Sequence, residues 1–278
     1  MRIDAKNGRF YEIKEGIFYK SYTTVLSMMP TSPFFVKWLK THTEEEVAQI
    51  FNDRGKTGSK IHHTIDLVLK KQEILPSGFT DDQIDIAVLS EPDLVNYLKK
   101  SFTETEDFMM KGFFNFLHDY QITTLQTEFT VWDDNIRCAG TVDFYGKINL
   151  PVDGKKVRRL TAKQIAKGKI QEEQPRKDYF AIIDWKTGSG IYESHYRQVA
   201  GYFKALCSMI KSKVVKYKKP QKAFLLHLGV NKSGYKLVEV EDINTQYKRF
   251  RRVNDEWEDA NPDAKPSPSY EFMTSYKI

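Results

Sequence analysis

The chain is short of the residues that staple or anchor a protein. Two cysteines in 278 residues, Cys138 and Cys207, exclude a disulfide framework and a four-cysteine zinc or iron–sulfur site. No apolar run approaches the roughly 20 residues that a membrane-crossing helix needs. The opening MRIDAKNGRFYEI has neither an apolar secretory core nor an Arg/Ser-rich transit pattern. Together these predict a cytoplasmic protein in a reducing compartment, with no membrane partner. Internal repeats and low-complexity linkers are also missing, so residues 1–260 read as one unit.

What is present is enough for a full core: 40% hydrophobic and 13% aromatic residues. The net charge of +6 is unevenly spread. Lys155–Lys177 holds nine Lys/Arg against two Glu, and Lys211–Lys222 holds six lysines and no acid. Such clusters suit a polyanion, because neutralised phosphates release counterions, and they equally suit solvated loops.

Periodicity divides the chain. Thr41–Phe51, Gly58–Lys71 and the stripe Leu94, Val95, Leu98, Phe102, Met109, Phe113, Phe116, Leu117 predict a mainly helical part over residues 1–120. Over 121–245 the pattern turns to strands. LQTEFTVW and IRCAGTVDFYGKINL flank Asp133-Asp134-Asn135 as a hairpin, and YFAIIDWKT adds a third strand after a basic insertion at 151–178. A helix follows from Ser194, and then a second hairpin closes around Asn231–Gly234. The expected class is α+β (α/β), with a mixed central sheet, flanking helices and one crossover helix. Residues 261–278, Pro-rich and polar, are expected to form an extended tail.

Within AIIDWKTGSG, Asp184 and Lys186 stand two residues apart and so share one strand face, with Trp185 on the other. This pairing reads either as a metal ligand beside a catalytic group or as a strand-end ion pair. Asp143, placed toward the end of a neighbouring strand, can meet Asp184 across the sheet. Two carboxylates with a nearby imidazole from GSKIHH (58–63) and a main-chain carbonyl make an oxygen-rich set suited to Mg²⁺ or Mn²⁺ rather than zinc. Gln198 and Tyr202, one helical turn apart, share a face, and Tyr202 also belongs to its helix's apolar stripe.

Four pieces in order, GSKIHH (58–63), AGTVD (139–143), IIDWKTG (182–188) and QVAGY (198–202), resemble the PD-(D/E)XK nuclease superfamily and its RecB/Cas4-like exonuclease branch. SYTTVLSMMP (21–30) with Trp38 is similar to the lead-in of mitochondrial genome-maintenance and related phage nucleases of that branch. The resemblance implies a restriction-endonuclease-like fold and a metal site of His62, Asp143, Asp184 and the Trp185 main-chain carbonyl, holding one or two Mg²⁺ or Mn²⁺. It makes Lys186 the catalytic lysine beside Asp143 and Asp184, and Gln198 and Tyr202 substrate-side support. His63 receives no role; Glu128, on the strand before Asp143, could reach the metal or its water but is read rather as a supporting or plain strand residue, and is given no place in the site. The branch's iron–sulfur cysteines are missing, so no cluster is expected, and the basic insertion is longer than usual. The implied activity is metal-dependent DNA hydrolysis, as an exonuclease on single strands or DNA ends. The alternatives are a structure-specific endonuclease, or a partner-dependent or inactive DNA-binding protein.

Overall fold

Residues 2–21, within the part expected to be mainly helical, fold as a three-stranded antiparallel meander: β1 (Arg2–Ala5), β2 (Gly8–Lys14) and β3 (Ile17–Ser21). Lys6-Asn7 and Glu15-Gly16 make the turns, and Gly8, which follows the first, and Gly16 take positive φ, 128° and 70°. Charged residues on the open face dilute the apolar alternation and hide these strands. The computed structural model describes residues 1–72, 102–152 and 175–267. Leu94, Val95, Leu98, residues 155–174 of the basic run and residues 268–278 of the expected tail lie outside the described residues.

Ser21 ends β3 and caps the next element, its Oγ accepting from the amides of Thr23 and Thr24 at the start of α1 (Tyr22–Leu26). Next come α2 (Pro33–Leu39) and α3 (Glu44–Gln72), the latter opened by a capping box between Thr43 and Glu46. The two predicted segments of α3 are one helix. A second capping box, Thr103 with Glu106, opens α4 (Glu104–Tyr120). The strands β4 (Thr123–Asp133), β5 (Cys138–Pro151) and β6 (Arg176–Lys186) precede α5 (Glu193–Lys211). The last elements are β7 (Lys222–Leu228), β8 (Tyr235–Glu239) and α6 (Ile243–Ala260). The closing helix α6 was not foreseen, because Phe250, Val253 and Trp257 make a sparse stripe in a charged segment.

The described residues thus form a mixed α and β architecture: eight strands in one mixed sheet, and six helices. As expected, β4 and β5 form an antiparallel hairpin, β7 and β8 another, and α5 carries the chain from β6 to its parallel neighbour β7. Alternation on β6 separates the two cores. Ile183 and Trp185 join α3 and α4 (Ile61, Ile65, Phe113, Phe116) on one face, and Ile182 joins α1, α5 and α6 (Tyr22, Val199, Phe250) on the other.

The sheet forks at β5. Its edge away from β4 pairs with β3 at Cys138 and Ala139, in parallel, and with β6 from Phe144 to Pro151, antiparallel. Between these two partners, residues 140–143 have no strand on that edge. Asp143 is therefore mid-strand rather than near a strand end, since β5 continues to Pro151. The basic insertion is the connection of the β5–β6 hairpin, rooted where the Val152 amide donates to the Pro175 carbonyl at 2.8 Å. That root lies beyond the far end of β5, about 30 Å from Asp143 along an extended strand. After α6, the chain returns to the meander: Asn7 Nδ2 donates to the Lys265 carbonyl and Asn7 Oδ1 accepts from the Ser267 amide. No described helix is long and apolar enough to cross a membrane.

Candidate active site

The fork is where the four sequence pieces meet. Extending the β5–β6 register by one residue sets Asp143 opposite Asp184, but here no backbone rung closes. Instead the Trp185 amide donates to Asp143 Oδ2 at 2.7 Å, so a carboxylate takes the place of the ladder. The Trp185 indole is buried on the opposite face against Phe113, Phe116 and Phe144, which fixes the backbone that carries this donor. Trp185 reaches Asp143 through its amide, whereas the expected ligand atom was its carbonyl.

Helix α3 enters the fork from one face. Ile61, Ile65, Val68 and Leu69 bury its apolar side, which leaves His62 at the rim with Nδ1 3.5 Å from Asp143 Oδ1 and 3.8 Å from Glu128 Oε1. His63 is exposed. Glu128 was given no place in the site from sequence, yet ligand atoms of His62, Glu128 and Asp143 all lie within 4.8 Å of one another. Its backbone has φ of 47°, a left-handed conformation inside strand β4 that costs a side-chain-bearing residue roughly 1–2 kcal/mol. Such strain concentrates at functional positions. No sequence pattern announces it.

From the other face, α5 supplies a relay. Lys186 Nζ lies 2.6 Å from Asp184 Oδ2 and donates to Gln198 Oε1 at 3.1 Å, and Gln198 Nε2 donates to the Tyr202 hydroxyl at 2.7 Å. Asp184 and Lys186 do share a face, as the strand period requires. Asp184 is drawn to the lysine, outside the three-residue group that contains Asp143. Tyr202 is both core and site: its ring meets Tyr22 edge-on at 5.3 Å.

Glycines let the pieces interlock. A Cβ on Gly140 would stand 2.4 Å from Tyr202 Cε1, so the AGTVD strand and the QVAGY helix approach only because residue 140 has no side chain. A Cβ on Gly58 would reach Thr187 Oγ1 at 3.1 Å, joining GSKIHH to IIDWKTG in the same way. Beyond Lys186 the turn is held by His227, whose Nε2 donates to the Gly188 carbonyl at 2.7 Å.

Burial and crowding set the charges. Burial pushes the Asp184 carboxyl up to about 6, with Lys186 opposing and Asp143 adding to the rise. Burial also raises Glu128. His62 is held down by burial, but Asp143 and Glu128 outweigh this and push its imidazole up to about 10. Three carboxylates against one lysine and one imidazole thus leave an excess of negative charge that a cation would relieve. His195, another residue missed from sequence, lines the same cavity. Burial, then Lys186 and His227, bring it down to about 3. Its Nδ1 accepts from the Tyr192 amide at 3.2 Å, which places the ring proton on Nε2.

The cavity holds about 440 Å³, within the usual range for a small-ligand site. His62, Glu128, Asp143, Asp184 and Lys186 line it together with Arg2, Arg9, Tyr11 and Thr23 from the meander and α1. Neither protein-family models nor curated proteins match this sequence.

Proposed function

We propose that this chain is a metal-dependent deoxyribonuclease with a restriction-endonuclease-like core, acting on single-stranded DNA or DNA ends in the cytoplasm. The observation that carries the reading is the fork: His62, Glu128, Asp143, Asp184 and Lys186 come from four separate elements and line one cavity. One imidazole nitrogen and carboxylate oxygens within 4.8 Å are a hard donor set that fits Mg²⁺ or Mn²⁺. In this reading His62, Asp143 and Glu128 hold the ion, joined by Asp184 and the Trp185 carbonyl.

A divalent ion bound there supplies positive charge beside the phosphoryl oxygens and lowers the pKa of a coordinated water. The protein's own groups do the rest. Asp143, hydrogen-bonded by the Trp185 amide, presents an oriented carboxylate. Lys186, held between Asp184 and Gln198, points a fixed ammonium at the charge that builds on the phosphate, so no reorganisation is needed during the reaction. The attacking water oxygen bonds to phosphorus as a bridging P–O bond breaks, giving a phosphate monoester and an alcohol. Gln198 and Tyr202 keep Lys186 aligned.

The test is a gel assay of end-labelled single strands, duplex and closed circles in Mg²⁺, Mn²⁺ or EDTA, comparing wild type with Lys186→Ala. Metal-dependent digestion of linear DNA that spares circles and vanishes in the variant is the expected result. Cleaved circles would replace the exonuclease with an endonuclease. Binding without cleavage in every metal would overturn the enzyme reading.

A further inference from the structure

We infer that Arg2 and Arg9 form a seat for a backbone phosphate of the DNA strand, distinct from the phosphate being cut. The inference rests on the nuclease reading and adds to it a substrate contact that none of the four sequence pieces contains.

The seat is built by the meander. In the β1–β2 register Asp4 faces Arg9 and Arg2 faces Tyr11, so all four side chains rise from one face of the ribbon. Asp4 divides its two oxygens between the arginines: Arg9 Nε donates to Oδ1 at 2.7 Å, and Arg2 Nε donates to Oδ2 at 2.9 Å. Arg2 Nη2 also lies 2.9 Å from Oδ2, whereas among the described residues the Arg9 guanidinium makes no contact beyond Nε, so the Nη groups of Arg9 remain available. The triad carries a net positive charge with its orientation already set, which reduces the ordering cost of binding.

The position of Arg9 is fixed twice. The Thr24 hydroxyl accepts from its amide at 2.8 Å and donates to its carbonyl at 3.0 Å, tying β2 to α1 at that residue. Gly8 permits the approach, since a Cβ there would stand 2.5 Å from Thr24 Cγ2. Both arginines are solvent-accessible, with side chains 48% and 35% exposed, yet both line the cavity that contains Asp143 and Lys186. A planar guanidinium with paired donors matches the oxygens of a phosphodiester, so a strand that places one phosphate among the metal-site residues can offer another to the arginines that line the same cavity.

The experiment measures binding of a dye-labelled single-stranded oligonucleotide by fluorescence anisotropy across a salt series, with Lys186→Ala as the parent so that the strand is not cut. Adding Arg2→Gln and Arg9→Gln is expected to weaken binding about tenfold at low salt and to flatten the log–log salt slope by about 0.7, the loss of one single-strand phosphate contact. A set of oligonucleotides, each with one phosphate replaced by a neutral methylphosphonate, locates the contact. One position should weaken binding to the parent and leave the double variant unaffected. Exposed ion pairs add little stability, so the variant should fold. The pair Arg2→Lys and Arg9→Lys keeps the charge and should restore the slope.

Unchanged affinity and slope in the glutamine variant, or a slope that lysine does not restore, overturns the seat. So does a double variant that stays sensitive at every modified position. The two readings fail separately: a wild type that cuts while the glutamine variant binds like its parent loses only the seat. A wild type that never cuts, with the position-specific loss still seen, loses only the nuclease.

Discussion

The cavity at the fork and the cleft lined by Lys204, Lys218 and Lys219 are both concave and both carry lysine, yet they hold it differently. In the cleft, which has about 760 Å³, Lys218 and Lys219 are exposed and Lys204 Nζ donates to Asn244 Oδ1. In the fork, the Lys186 side chain is 16% exposed and held between a carboxylate and an amide. Charge in the cleft attracts a polyanion from a distance and is screened by salt. Charge in the fork is aimed at one place and enclosed by opposite charges. Under the proposed nuclease reading, the first arrangement serves encounter and only the second serves chemistry.

The largest test of this contrast sets the two kinds of lysine against each other. Lys186→Ala is expected to lower the single-turnover cleavage rate by about 10²–10³-fold, the usual cost of removing one preorganised donor. Lys218→Ala with Lys219→Ala should leave that rate within about threefold at saturating DNA and reduce only the salt dependence of binding. Equal losses in both would erase the distinction.

Next in size is the close packing that the fork demands. Gly140→Ala drives a methyl group into the Tyr202 ring and should cost about 1–3 kcal/mol in a denaturant titration. Gly188→Ala, where no atom lies within 4 Å of the added carbon, should move the midpoint little.

A smaller effect has the opposite sign. Glu128→Gly removes the left-handed strain in β4 and is expected to stabilise the protein by about 1 kcal/mol in EDTA, while weakening Mn²⁺ binding measured by calorimetry. A destabilised variant with unchanged Mn²⁺ affinity would mean that the strained conformation serves packing rather than the site.

The smallest effect is on pH dependence. His195 is held down to about 3 in the fold, against 6.5 ordinarily, so on acidification the unfolded chain takes up its proton first. Its contribution is complete above about 6.5 and drains away as pH falls toward about 3. His195→Gln should make the acid limb of the stability profile shallower, and an unchanged limb would assign acid sensitivity to other groups.

Much of this was readable in the residues because faces are what periodicity encodes. The alternation of Ile182, Ile183, Asp184, Trp185 and Lys186 separates core from site, and the β4–β5 and β7–β8 hairpins follow from their turns. Edges are another matter. Nothing in a two-residue period says that β3 and β6 share one edge of β5 and leave 140–143 open, so Asp143 was placed near a strand end when it sits in the middle of one. Glu128 was left out of the expected site, because its reach to His62 depends on a backbone angle that glutamate rarely adopts. The arginines of the meander were missed with the meander itself, whose polar face interrupts the apolar pattern.

The bond from the Trp185 amide to Asp143 has a practical consequence. A backbone proton that rests on a carboxylate is a built-in sensor, because its nuclear magnetic resonance shift follows the electron density of the oxygen that receives it. One crosspeak, on a residue whose indole is sealed in the core, should therefore register any ion or proton that draws charge from Asp143. No label needs to be introduced into the cavity to observe it.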